Sequence, residues 1–321
     1  MTRADTLPAR PPPLDPCKFQ DPLQTARGEP RAQVGLHALE TLWVNTGTLC
    51  NIACARCYIE SSPRNDALAY ISAAEVRRFL DEARAVAPGL RTVGFTGGEP
   101  FLNRELPTML DDVLARGLAA LVLTNAMKPM RNHEAALLRL RARHGGRLVL
   151  RVSLDHHAAA LHDLERGAGS FDQAVAGLVW LAREGFTVHV AGRAGFGADD
   201  EAARRAGYAA LFAAHAIPID AADPVALMLF PEMDATRDVP EITEACWGIL
   251  GFDPRRLMCA SARMVVKRKG AAAPAVVACT LLPYDPRFEL GATLAEASRP
   301  VALNHPHCAA FCVLGGAACS R

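Results

Sequence analysis

With 321 residues and a mass of 34.3 kDa, the chain is long enough for one large domain, or for one domain with an appendage. Half of its residues are apolar and 21% are charged, which allows a sizeable core, and a formal net charge of +1 gives no electrostatic case for nucleic acid or an anionic membrane as partner. No apolar run reaches the ~18–20 residues that cross a bilayer, and the opening stretch MTRADTLPARPPPLDPCKFQ lacks the apolar core of a secretory signal, so the expected compartment is the cytoplasm.

Residues 1–37 are rich in Pro, Arg and polar residues without periodicity, and read as a flexible N-terminal arm. ALETLWVNT (38–46) is a first strand leading into a cysteine-bearing loop. Ser72 and Glu75 form a capping box ahead of a helix striped by Val76, Phe79, Leu80 and Ala83 and ended by Pro88-Gly89. LRTVGFT (90–96) is a second strand, followed by a helix striped by Met109, Leu110, Val113 and Leu114 that stops at Gly117. LAALVLTN (118–125) and a helix around 132–143 come next, then RLVLRVSLD (147–155) and a helix from Ser170 to Glu184 with Gly185 as its C-cap. FTVHVAGR (186–193), an Ala-rich helix and VALMLF (225–230) complete the series.

Six mostly apolar strands alternating with helices predict an α/β fold with a parallel sheet and right-handed crossovers. Either a partial barrel or an open doubly wound sheet fits, and in both the ligands sit at the carboxyl ends of the strands. The pattern changes after about residue 240, where ARMVVKRKGAAAPAVVAC (262–279) reads as a hairpin around Gly270 and the rest is loop-rich. The expected division is an arm over 1–37, a core over 38–238 and a small cysteine-rich C-terminal domain over 239–321, organised by metal.

Ten cysteines in a reducing compartment do not read as a disulfide framework. Cys17 stands alone. Cys50, Cys54 and Cys57 make a C-x3-C-x2-C cluster, while Cys246, Cys259, Cys279, Cys308, Cys312 and Cys319 lie in the last quarter. This segregation points to metal ligation. Three thiolates can hold three irons of a cubane and leave the fourth open, and an open metal position marks a catalytic site. A zinc site completed by a distant His or Cys is the competing reading. The second strand ends in GFTGGEPFLN (94–103), where Gly97 and Gly98 let the backbone approach a ligand and Glu99 offers a carboxylate to an ammonium group.

Together, CNIACARCY and the GGEP about 40 residues later resemble the radical S-adenosylmethionine (SAM) enzymes. The resemblance implies a partial (β/α)6 TIM-like barrel in which Cys50, Cys54 and Cys57 bind a [4Fe–4S] cluster whose open iron is chelated by SAM. Gly97, Gly98 and Glu99 would hold the methionine amino group, and one electron would split SAM to give a 5′-deoxyadenosyl radical that abstracts a substrate hydrogen. A reductase such as flavodoxin or ferredoxin would supply the electron. LTN (123–125) and SLD (153–155) sit where this family contacts SAM, so Asn125, Ser153 and Asp155 are candidate contacts, and Arg193 is a candidate partner of the SAM carboxylate. LHDLERGAGSFDQAVAGL (161–178) is similar to the segment after strand four in peptide-modifying members.

Two positions depart from the family. Arg56 stands just before the third cysteine, where an aromatic residue is usual, and Tyr58 just after it is the alternative for packing near the adenine. His156 and His157 follow SLD where peptide maturases often have glycine; a solvated turn is preferred to a substrate-facing role. The C-terminal thiols resemble a SPASM or twitch domain, an appendage that binds auxiliary iron–sulfur clusters. Matching pieces are Cys259, the hairpin, Cys279, a helix at LGATLAEA (290–297) and the terminal CAAFCVLGGAAC (308–319). One auxiliary [4Fe–4S] cluster is expected rather than two, held by Cys259, Cys279, Cys312 and Cys319, with Cys308 and Cys246 as competitors.

The leading expectation is a radical SAM enzyme acting on a peptide or protein side chain. A small-molecule substrate, as in the deoxyadenosyl transfer of arsenosugar biosynthesis, is the second. A non-enzymatic iron–sulfur electron carrier is the third; it explains the cysteines but not the three-ligand loop or the GGEP turn.

Overall fold

The computed structural model describes residues 12–195 and 200–316, so Cys319 lies outside the described residues. The strands are β1 (Gln33–Val34), β2 (Thr41–Asn45), β3 (Thr92–Thr96), β4 (Ala119–Thr124), β5 (Leu148–Ser153), β6 (Thr187–Arg193), β7 (Leu227–Phe230), β8 (Ala262–Val266), β9 (Ala275–Val277), β10 (Glu289–Gly291) and β11 (Val301–Ala302). The helices are α1 (Ala73–Val86), α2 (Leu106–Ala115), α3 (Lys128–Arg131), α4 (Glu134–His144), α5 (Ala159–Arg166), α6 (Ser170–Arg183), α7 (Glu201–Ala214) and α8 (Cys246–Leu250).

β2 to β7 lie side by side in chain order and all run parallel, as their apolar composition predicts for strands covered on both faces. Every residue of β2 is buried, with Trp43 paired in register to Gly94 of β3. Between the strands, α1 starts on the expected capping box, with Ser72 accepting from Glu75 N and the Glu75 carboxylate accepting from Ser72 N. It buries the predicted stripe Val76, Phe79, Leu80 and Ala83, and the helix after β3 buries Met109, Leu110, Val113 and Leu114. The result is an open partial barrel of six parallel strands with its helices outside.

The C-terminal hairpin is part of the same sheet. β8 pairs in parallel with β2, and β9 and β10 continue outward in antiparallel fashion, giving nine strands in the order β10-β9-β8-β2-β3-β4-β5-β6-β7. LGATLAEA, read as a helix, instead holds the end of β10 and a 3-10 turn at Glu296–Ser298; Gly291 at φ +134° interrupts any helix there.

Residues 12–37, expected to be a flexible arm, are packed against the C-terminal region. Phe19, Arg31 and Ala32 are buried, and β1 pairs with β11. Glu241 organises this segment: its carboxylate accepts from Phe19 N and Ala26 N at 2.7 Å each and pairs with Arg31. Apart from the two-residue β1, the segment is held by scattered backbone bridges and side chain–backbone bonds, so it leaves no periodicity to read.

Candidate active site

The carboxyl ends of β2 to β7 open on one cavity of about 180 Å³. β2 feeds the cysteine loop, which places Cys50, Cys54, Arg56, Cys57, Tyr58 and Ser61 on the wall. β3 contributes Thr96 and the turn Gly97-Gly98, β4 contributes Leu123 to Asn125, and β5 contributes Ser153 and Asp155. Arg193 ends β6, and Phe230, Pro231 and Met233 follow from β7. Of the residues singled out in the sequence for this pocket, Glu99 alone is not on the wall.

The glycine turn sits against the cysteine loop itself. A Cβ on Gly98 would stand 2.1 Å from the Leu49 carbonyl oxygen, and one on Gly97, at φ +144°, would stand 2.4 Å from the Gly47 oxygen. Gly98 N and Glu99 N donate to those same carbonyls, at 2.8 and 3.0 Å. Two glycines are therefore required because two backbones touch there. Glu99 turns inward, only 1% exposed, and accepts from Phe101 N (3.2 Å), Thr124 Oγ1 (2.8 Å) and Asn125 N (2.8 Å). Burial pushes its carboxyl up to about 7, against the pull of these donors. Its visible work is to lock the ends of β3 and β4 together. Asn125 then donates to Asn51 Oδ1 (2.8 Å), and its Nδ2 stands 3.9 Å from Cys50 Sγ.

A charged frame closes one side of the cavity. Arg56 pairs with Glu165 (2.7 Å) and Glu232 (3.3 Å), and Arg193 pairs with the same two carboxylates at 2.8 and 3.2 Å. The four alternate in sign and join the cysteine loop, α5, β6 and the segment after β7. Beside them, Arg166 grips Asp155 through two bonds of 2.7 and 3.0 Å. Burial opposes ionisation of Asp155, but Arg166 outweighs it and holds the carboxyl below its usual range. Glu165, Arg166 and Glu232 were not singled out by sequence reasoning. The first two lie in the LHDLERGAGS stretch, where the chain carried a signal only as part of a longer likeness. His156 and His157 are not in a solvated turn: His156 is 1% exposed, the two rings lie 4.2 Å apart, and His157 stands edge-on to Tyr208.

Cys50, Cys54 and Cys57 all line this cavity, the three-thiol donor set that a [4Fe–4S] group with one open iron would need. Among the described residues, no three His, Cys, Asp or Glu side chains gather as a single-ion site; the three thiols instead stand around the cavity wall. Burial pushes the Cys50 thiol up to about 12 and also raises that of Cys54, which Arg166 partly offsets. Ser61 N donates to Cys57 Sγ at 3.3 Å, a bond suited to a metal-bound thiolate.

In the C-terminal region Cys259 and Cys308 are buried, Cys246, Cys279 and Cys312 half-buried. Burial raises the Cys308 thiol, and the nearby Cys279 and Cys259 raise it further. Cys246 Sγ accepts from Thr243 N at 3.4 Å. Arg263 is 1% exposed beside these thiols and donates to the carbonyls of Ala297, Cys259 and Ala262 at 2.6–2.8 Å, with no carboxylate paired to it among the described residues.

Six parallel strands in chain order, a three-thiol loop after the first and a glycine turn after the second, all facing one cavity, define a partial-barrel α/β protein with its candidate site at the strand ends. The chain belongs to the radical SAM superfamily, whose sequence pattern matches residues 44–204. Membership implies a [4Fe–4S] cluster and SAM. The chain is 34% identical over 143 residues to the antilisterial bacteriocin subtilosin biosynthesis protein AlbA of Bacillus subtilis, covering 44% of this chain and 30% of AlbA. It is 28% identical over 172 residues to GTP 3′,8-cyclase of Xanthomonas campestris pv. campestris, covering 51% of this chain and 46% of the cyclase. The chain thus spans less than half the length of these curated relatives. Native anSMEcpe, solved with AdoMet and the Cp18Cys peptide, shares the fold at a TM-score of 0.55 and 13% identity, over 80% of this chain and 79% of that one. No helix among the described residues is long and apolar enough to cross a membrane.

Proposed function

We propose that this chain reductively cleaves SAM at a cluster held by Cys50, Cys54 and Cys57 and uses the radical chemistry to modify a peptide or protein side chain. The observation that carries the reading is the single cavity shared by the three thiols, the Gly97-Gly98 turn and the polar ends of β4, β5 and β6. When bound, the cluster and SAM supply the hydrogen-abstracting radical. The protein's own groups bind and orient. The Asp155–Arg166 pair presents a guanidinium edge and a carboxylate edge to the cavity. Ser153 offers a hydroxyl, while Phe230, Pro231 and Met233 exclude water on the far side. Glu99 and Asn125 act on the cavity's shape, holding β3, β4 and the cysteine loop in register.

Residues 239–316 and the terminal Cys319 would form the auxiliary-cluster domain, with Cys259, Cys279 and Cys308 or Cys312 among its ligands. Arg263 is compatible with this: its buried guanidinium, held by backbone carbonyls, lies near Cys259 and Cys279, where its charge favours the thiolate form. A peptide substrate is supported by the likeness to AlbA, a bacteriocin biosynthesis protein, and by the peptide-bound anSMEcpe fold. The likeness to GTP 3′,8-cyclase favours a small-molecule substrate as the second reading.

The test is anaerobic reconstitution with iron and sulfide, then SAM and dithionite, with 5′-deoxyadenosine measured by chromatography. Product is expected, with about eight irons per chain for two clusters. Full iron loading without any SAM cleavage product would overturn the reading. Co-expression with short peptides encoded beside the gene, followed by mass spectrometry, separates the two substrate classes.

A further inference from the structure

Cys54 and Cys57 are carried on the cavity wall by a short turn, closed by a 3.3 Å bond from Cys57 N to Cys54 O. The two residues between them, Ala55 and Arg56, are exposed. The Cys50 end of the loop is held from inside the barrel. Gly98 N and Glu99 N donate to Gly47 O and Leu49 O, and Asn125 donates to Asn51 beside Cys50. An exposed turn needs backing of its own, because a cubane tolerates little drift in the spacing of its three sulfurs.

One residue of α5 supplies that backing. Glu165 O accepts from Ala55 N at 2.8 Å, and the Glu165 carboxylate pairs with Arg56 at 2.7 Å. Backbone and side chain of a single residue thus hold consecutive residues of the turn, which fixes its rotation as well as its distance. Glu165 is itself anchored. Its other carboxylate oxygen pairs with Arg193, the last residue of β6, at 2.8 Å, and its side chain is only 2% exposed. Next to it, Arg166 bonds Asp155, just past the end of β5, at 2.7 and 3.0 Å. The last turn of α5 is therefore tied to two neighbouring strand ends, and the cysteine turn is tied to α5. Glu232 pairs with the same two arginines at 3.3 and 3.2 Å, but it is 28% exposed and lends the cysteine loop no backbone bond among the described residues.

We propose that Glu165 is the positioning residue for the Cys54–Cys57 half of the loop, setting where these two thiols stand relative to Cys50. The inference rests on the reading of the three cysteines as cluster ligands and deepens it. It also accounts for Arg56: the guanidinium gives the turn a handle that an aromatic side chain at this position would lack.

The experiment reconstitutes full-length wild-type and variant proteins anaerobically, reduces them with dithionite, adds EDTA, and follows the SAM-sensitive cluster signal by electron paramagnetic resonance. Glu165→Ala should lose this signal about tenfold faster than wild type, the scale of one charge-assisted hydrogen bond. The shift that SAM induces in its spectrum should change as well. Glu165→Gln, which keeps the volume and one acceptor oxygen, should fall between the two. Arg56→Ala should accelerate the loss about twofold, and adding it to Glu165→Ala should change little more, because both remove the same bond. Unchanged decay in Glu165→Ala, or fully multiplicative effects in the double variant, would overturn the proposal. So would decay that merely follows overall unfolding, measured by circular dichroism on the same samples. Absence of a SAM-sensitive signal in the wild type would instead overturn the cluster reading itself, and this inference with it.

Discussion

The two groups of cysteines sit in opposite surroundings. Cys50, Cys54 and Cys57 stand on the wall of a cavity to which six strand ends contribute, among carboxylates and guanidiniums that are already paired. Cys259 is buried in the C-terminal region beside Arg263, which has no carboxylate partner among the described residues, and Cys308 is buried near Cys259 and Cys279. The first arrangement leaves open space next to the thiols; the second buries thiols beside a cation whose donors are taken by backbone carbonyls. On the reading proposed above, the first group is the site of reaction and the second would hold an auxiliary cluster.

The sharpest way to break the comparison is to remove one thiol from each group. Cys54→Ala should abolish 5′-deoxyadenosine formation altogether and lower iron content by about four per chain, since a two-thiolate loop cannot retain a cubane. Cys308→Ala should also lose about four irons per chain but keep measurable SAM cleavage, while turnover of the true substrate collapses. If both variants lost cleavage equally, the C-terminal thiols would not be auxiliary and the contrast would be false.

A smaller effect is expected from the backbone that supports the first group. In Gly98→Ala the new methyl would meet the Leu49 carbonyl, which leads directly into Cys50. Either the turn or the cysteine loop must shift, at a cost of about 1–3 kcal/mol. SAM affinity, measured by calorimetry on the reconstituted protein, should fall by roughly the same energy, about 5-fold to 150-fold. Unchanged affinity would mean that the contact between the two loops does not set the geometry of the cavity.

The two regions also differ in how far the sequence discloses them. The six parallel strands could be read because each is an apolar run closed by a turn residue, and the three-thiol loop because its spacing is local. The frame of Arg56, Glu165, Arg193 and Glu232 could not, because its members are separated by up to 176 residues and meet only when α5 and the ends of β6 and β7 are folded together. Arg193, expected as a partner for a ligand carboxylate, lines the cavity and is also engaged by two glutamates that the sequence does not bring near it. The N-terminal segment shows the same limit, since its order comes from Glu241, far along the chain.

Arg56 supports the smallest and most discriminating test. It stands where an aromatic residue is usual in the family, and here it ties the cysteine loop to Glu165 and Glu232. Its side chain is half exposed, and Glu165 keeps Arg193 as a partner when Arg56 is removed. Loss of the guanidinium should therefore weaken SAM binding only modestly, up to about fivefold, on the scale of a single solvent-screened ion pair. Arg56→Ala and Arg56→Phe should show the same small loss if the role of this position is to hold the loop. If Arg56→Phe instead bound SAM more tightly than the wild-type protein, the position would act as a platform for the adenine, and the charged frame would be incidental to the cavity it borders.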